Sequence, residues 1–119
     1  MPRNLSFPKG RRLIYTADFA RVRDEGRKVR GPLLSLAVLA TGKGEKMRVG
    51  FITSKRIGGA VVRNRVRRRL RDIVRRHQHE IVDGHWLVVI AGPAAARASY
   101  ADLEAEWLRL ATRTSILAP

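Results

Sequence analysis

Between Lys55 and Arg76 the chain gathers Lys55, Arg56, Arg63, Arg65, Arg67, Arg68, Arg69, Arg71, Arg75 and Arg76 against a single acid, Asp72. Guanidinium groups at this density suit phosphate, because each is planar, permanently charged and able to meet two phosphate oxygens at once. Val62, Val66, Leu70, Ile73 and Val74 recur among them at the spacing of one helical face, within an arc of roughly 120°. The segment therefore predicts an amphipathic helix whose wet surface is almost wholly cationic. Solvated helices usually interleave Glu with Lys or Arg at i,i+4, whereas here the next acid after Asp72 is Glu80. Such a surface repels itself unless a polyanion neutralises it. Nucleic acid is the polyanion to expect, bound with strong salt dependence and little intrinsic sequence preference. A DNA-reading helix is the rival, but no helix-turn-helix or zinc-finger pattern accompanies this one.

The other chemistry-bearing residues are sparse. His77 and His79 stand two residues apart, which on a helix points them to nearly opposite sides, while helical metal ligands prefer i,i+3 or i,i+4. They read as helix-end or phosphate-contacting side chains. Asp102, Glu104 and Glu106 read as the solvated face of a helix, and Asp18, Asp24 and Glu25 as dipole partners and solvent-facing groups. A two-metal nuclease needs convergent carboxylates holding ions about 3.5–4 Å apart, and no such set is visible. Gly58-Gly59 before a helix could cradle a phosphate on backbone N–H groups, without the full pattern of a nucleotide-binding loop. The residues describe an RNA binder with no catalytic apparatus of its own.

The whole chain has 119 residues, a net charge of +15 and 45% hydrophobic content. That is one domain with a modest core, too apolar for a disordered basic tail. No apolar run approaches the ~20 residues that span a bilayer, and residues 1–12 lack the apolar region of a secretory signal. With no cysteine there is no disulfide framework or thiolate metal site; a cytoplasmic location is the default expectation.

The elements that must position the basic helix can be read in order. Residues 1–12, basic and carrying Pro2, Pro8 and Gly10, suggest a loosely ordered arm. A first helix follows, with Thr16 as N-cap, Asp18 at the positive end of the dipole, Phe19 and Val22 on one face and Gly26 closing it. The apolar stretch 29–40 and the segment 47–53 suggest two strands joined by the Gly-containing turn 41–45. After Gly58-Gly59 the basic helix runs roughly from Ala60 to Val82, about 30 Å of helix. Trp86 to Ala91 is a continuous apolar run, as in a central strand buried on both faces. Ser99 with Asp102 suggests a capped last helix with Tyr100, Leu103, Trp107, Leu110 and Ala111 on its apolar face. The sum is a small α+β layer fold.

The segment from Ser54 to Arg71, reading SKRIGGAVVRNRVRRRLR, resembles the signature helix of the bacterial ribonuclease P protein subunit. Arg12-Leu13, Asp18-Phe19, Gly26, Arg48-Val49-Gly50 and the Trp86 to Ala91 strand support the resemblance in matching order over nearly the whole chain. It implies an αβββαβα sandwich with a left-handed βαβ crossover, a handedness contrary to the general rule. It also implies a ribonucleoprotein endonuclease that removes the 5′ leader of precursor tRNA, with the catalytic centre and Mg²⁺ in an RNA subunit. A 1:1 holoenzyme of protein and RNA is expected, with no membrane partner.

Carried over by position, the resemblance implies that Lys55, Arg56, Arg63, Asn64, Arg65, Arg67, Arg68, Arg69 and Arg71 contact the catalytic RNA or organise its metal-binding neighbourhood. Helix geometry puts Arg63 at the edge of the apolar stripe, where it can brace the sheet, and points Arg65, Arg68 and Arg69 farthest from the core. A leader-binding cleft between the first helix and the sheet is expected to hold Phe19, Arg23 and Leu34, with plain core packing against Val22 the equal alternative for Phe19. Two departures accompany the likeness. Gly59 stands where Asn is common, and Arg23, with the aliphatics Leu34 and Ala37, takes places where the family often has aromatics. Base–aromatic stacking is worth roughly 1–3 kcal/mol per base, so this cleft is expected to grip by charge more than by stacking. A ribosomal protein or RNA chaperone is the second reading that charge and size allow.

Overall fold

The computed structural model describes residues 11–118; residues 1–10 of the expected arm lie outside the described residues. Along the chain run α1 (Thr16–Glu25), β1 (Arg27–Arg30), β2 (Leu34–Ala40), β3 (Arg48–Thr53), α2 (Ala60–His77), β4 (His85–Ala91) and α3 (Tyr100–Arg113). This is the αβββαβα order that the resemblance implies.

The apolar run of β4 makes the centre of the sheet. It pairs antiparallel with β2 and parallel with β3, and β1 pairs antiparallel with β2, in the order β1-β2-β4-β3. Alternation along the strands divides the core between two faces. Leu34, Leu36, Val38, Leu87 and Val89 pack with Val66, Leu70, Ile73 and Val74 of α2 and with Leu103, Trp107 and Leu110 of α3. Ala37, Leu39 and Val88 pack with Leu13 and Val22, with Phe19 alongside. The sheet is thus sandwiched between α1 and the pair α2–α3. β3 and β4, neighbours and parallel, are joined through α2 as a βαβ crossover unit.

Several local expectations change. The stretch 29–40 holds the end of one strand and the whole of another, because Gly31 and Pro32 turn the chain between β1 and β2 and the Gly31 N–H returns to the Leu34 carbonyl at 2.9 Å. The strands flanking the 41–45 turn do not pair, since β4 lies between them. Thr16 is the first residue of α1 rather than its cap; Tyr15 takes the cap position without a side-chain bond. Gly26 does end α1, but with extended backbone: a Cβ there would collide with the Val22 carbonyl oxygen of α1 and lie 2.7 Å from that of Val38, so the helix's own last turn and close passage over β2 together exclude a side chain. α2 stops at His77 and tightens into a short 3₁₀ turn over Gln78–Glu80, short of Val82. Ser99 caps α3 as expected, its Oγ accepting the Asp102 N–H at 3.1 Å.

The largest correction is Glu106, which is 4% exposed rather than solvated. Its Oε2 accepts the backbone N–H groups of Leu33 and Leu34, each at 2.7 Å, and its Oε1 accepts from Arg109 at 2.8 Å. A buried carboxylate persists only when hydrogen-bonded and paired. The turn after β1 supplies the donors that make this one tolerable.

Candidate nucleic-acid interface

Gly59 enters α2 in extended backbone, and the apolar stripe Val66, Leu70, Ile73 and Val74 then docks on the sheet. That docking turns the remaining circumference outward along about 27 Å of helix. Asn64, Arg68 and Arg71 are exposed, as are Lys55 and Arg56 on the preceding 3₁₀ turn, whose Ile57 is buried and anchors it. Arg63, Arg65, Arg67 and Arg69 are half-buried. For Arg63 that matches a place at the edge of the stripe.

Of the trio expected to point farthest from the core, only Arg68 is exposed. Arg65 Nη2 donates to the Ala96 carbonyl and Arg69 Nη1 to the Ala98 carbonyl, both at 3.1 Å. The chain after β4, a 3₁₀ helix over Pro93–Arg97, passes beside α2 and gives these two side chains acceptors that helix geometry alone could not reveal. Arg67 Nη2 donates to Thr53 Oγ1 at 2.6 Å, tying α2 to the end of β3.

Acid on this helix is internally matched. Asp72 accepts from the Tyr100 hydroxyl at 2.7 Å, pairs with Arg76 at 3.2 Å and also bonds Arg75. The Arg75 bond, and then the Tyr100 bond, hold the Asp72 carboxyl below the usual carboxylate range. Burial first, and then the Asp72 bond, push the Tyr100 phenol up to about 12. Among the described residues, the arginines toward the start of the helix have no such acid partner. Arg71 has its pKa lowered by burial and by the guanidinium groups of Arg12 and Arg67. Like charges held together in this way leave a local field that an anion relieves.

Phe19 is brought to that same place. A cavity of about 120 Å³ has Arg12, Phe19, Gly50, Arg67 and Arg71 in its walls. Gly50 makes the approach possible, since a Cβ there would collide with the Phe19 ring. The residues assigned from sequence to two surfaces therefore share one cavity. Arg23 is exposed on α1. Leu34 is not in the cleft: it is 1% exposed and packs on the α2–α3 side of the sheet. Strand side chains alternate, so a shift of one residue changes faces, and Ala37 and Leu39 are the β2 residues that pack on the α1 side.

Further cations reach the α1 side. Lys28 stands opposite Ala37 and Arg30 opposite Ser35 in the β1–β2 register, and directly paired residues share a face. The alternation of Arg27-Lys28-Val29-Arg30 held that signal, but only once β1 was recognised as a strand. Trp86 also lies on this side, with the guanidinium carbons of Arg21 and Arg48 each 5.7 Å from its ring centroid. Finding that contact required the strand order. His77, read as a solvent or phosphate contact, instead joins Glu80 at 2.5 Å and Glu104 at 3.1 Å and stacks on Trp107, with 5.7 Å between ring centroids.

A single small α+β domain with a helix sheathed in arginine, whose one acid is drawn into internal pairs, is a nucleic-acid-binding protein. Residues 7–115 match the ribonuclease P family, and the chain belongs to that family, the protein component of a ribonucleoprotein endoribonuclease. It is 43% identical over 108 residues to the ribonuclease P protein component of Acidothermus cellulolyticus, covering 89% of each chain. It is 40% identical over 97 residues to that of Beutenbergia cavernae, covering 82% of each. Its fold is similar to the RNase P protein of Staphylococcus aureus, with a TM-score of 0.83 at 22% identity over 90% of this chain and 97% of that one. It is also similar to the RNase P protein from Thermotoga maritima, with a TM-score of 0.77 at 25% identity over 86% and 96% of the two chains. Among the described residues no helix is long and apolar enough to cross a membrane.

Proposed function

We propose that α2 binds the catalytic RNA of ribonuclease P while the α1 side of the sheet takes the 5′ leader of precursor tRNA. The protein thereby assists endonucleolytic removal of the leader. The observation that carries this reading is the shared cavity in which Phe19 of the leader surface meets Arg67 and Arg71 of the RNA surface. A leader strand on α1 is thereby brought beside those arginines. Arg23, Lys28 and Arg30 line its route as cations, with Ile52 and Ile90 as a partly exposed apolar floor. Grip on the leader then comes from charge more than from stacking.

In this reading Mg²⁺ supplies Lewis-acid chemistry from within the RNA. The protein residues do not fit a resident ion site: among the described residues no group of three or more His, Cys, Asp or Glu is placed to hold a metal ion, and Asp72 is already bonded to two arginines and a tyrosine. The chain's own part is to neutralise phosphates, which lets the RNA hold its active fold at lower Mg²⁺. A 1:1 complex in the cytoplasm, where precursor tRNA is made, is the assembly this requires.

The test is cleavage of a leader-bearing precursor tRNA by the cognate catalytic RNA at low Mg²⁺, with and without the protein. Cleavage that depends on the protein is expected. Tight but indiscriminate RNA binding without stimulation would favour a ribosomal or chaperone role instead.

A further inference from the structure

A groove of about 460 Å³ lies between α2 and the start of α3, lined by Arg65, Arg68, Arg69, Asp72 and Tyr100. Small-ligand sites span ~300–1,000 Å³, so the space suits one nucleotide. Two of its arginines are preset, Arg65 by the Ala96 carbonyl and Arg69 by the Ala98 carbonyl. Each of those bonds uses one of a guanidinium's several donors and fixes the head group, so less side-chain freedom is lost when the remaining donors meet a ligand. Arg68 stands exposed between them. The acid in the lining, Asp72, is matched by Arg75 and Arg76, which lie outside it. The lining therefore keeps an excess of positive charge.

Tyr100 completes the site. Its hydroxyl is locked on Asp72 at 2.7 Å, and the Arg76 guanidinium lies 5.7 Å from its ring centroid. An aromatic ring held beside fixed guanidinium groups is the combination that takes a nucleotide, with phosphate on the arginines and base against the ring.

We propose that this groove receives one unpaired nucleotide of the catalytic RNA, its phosphate on Arg65, Arg68 and Arg69 and its base against Tyr100. The inference rests on the reading of α2 as the RNA-binding helix. It commits to the catalytic RNA because Arg68 lines both this groove and the exposed hollow with Asn64 and Arg71. The leader surface lies on the opposite side of the sheet.

The experiment combines ultraviolet crosslinking with mass spectrometry and 2′-hydroxyl probing of the catalytic RNA, using the full chain and its Tyr100→Phe and Tyr100→Leu variants. A nucleotide adduct on the Tyr100 peptide is expected. One unpaired nucleotide should be protected by the wild type and by Tyr100→Phe, and exposed again with Tyr100→Leu. Affinity for the leucine variant should fall about tenfold, the loss of one base stack, with an unchanged salt slope because no phosphate contact is removed. The proposal is overturned if Tyr100→Leu keeps the protection and binds within twofold of wild type. Equal loss in both variants also overturns it, since phenylalanine keeps the ring, as does an adduct formed with precursor tRNA but not with the catalytic RNA. Absence of salt-dependent binding by the wild type would instead sink the reading of α2 itself.

Discussion

The carboxylate of Glu106 on α3 sits 2.7 Å from the backbone nitrogen of Leu34 at the start of β2, across 72 positions of sequence. The same oxygen holds Leu33, so one side chain closes the β1–β2 hairpin against the last helix. Replacing it leaves buried N–H donors without an acceptor, at about 1–3 kcal/mol for each group left unpaired. Glu106→Ala should lower Tm by on the order of 10 °C. Thermal unfolding followed by circular dichroism checks this, and a change under 2 °C would deny the latch.

Arg68 and Arg69 should separate binding from folding. Arg68 is exposed, so Arg68→Ala should leave Tm unchanged while reducing the salt slope of RNA binding by about one. Arg69 also holds the Ala98 carbonyl, so Arg69→Ala should lower both affinity and Tm. Filter binding over a salt series beside thermal melts distinguishes them.

The Arg12, Arg67 and Arg71 group predicts an opposition between stability and function. Burial, then Arg12 and Arg67, lower the pKa of Arg71, which means folding opposes its charge. Arg71→Gln should therefore raise Tm at low ionic strength and weaken RNA binding. Sulfate should raise the Tm of the wild type by mass action and raise that of Arg71→Gln less. Equal sulfate responses in the two proteins would argue against an anion site there.

His77 gives a pH dependence of known sign. Burial pulls its pKa down, but the bonds to Glu80 and Glu104 outweigh it, and the net shift is upward. A raised native pKa means the protonated form stabilises the fold; the contribution is complete below the unfolded value of about 6.5 and fades as pH climbs through the native value. The Tm difference between wild type and His77→Gln should accordingly be larger at pH 6 than at pH 9. A difference that grows with pH would reverse the assignment.

On the surface proposed for the leader, Arg23→Ala should weaken leader-dependent binding of precursor tRNA at least as much as Phe19→Ala. Equilibrium binding of substrates with long and absent leaders measures both. A far larger loss for Phe19→Ala would mean that stacking dominates.

How much of this could be read from residues alone depended on range. The basic helix announced itself because its charge and its apolar stripe share one short segment, and β4 because a strand covered on both faces needs no alternation. Ser99 was legible because a cap is decided within three residues. The face of Leu34 is not legible in the sequence, since a half-hidden hairpin turn at Gly31-Pro32 conceals the phase of the strand that follows. Glu106, His77 and the carbonyl tethers of Arg65 and Arg69 depend on partners 27 to 73 positions away. Helical periodicity near each of them reported only a polar residue on a polar face.

The two rims of the sheet carry a consequence for assembly. Along β3, Arg12 forms a parallel bridge with Val49, and the Leu13 N–H donates to the Val49 carbonyl at 3.0 Å, so part of that border is already occupied by the chain itself. Along β1, Arg27, Lys28 and Arg30 are exposed, and a second copy pairing there would stack like charges on one another, a common defence against strand-to-strand aggregation. Both rims thus oppose strand pairing between copies of a chain that carries a charge of +15.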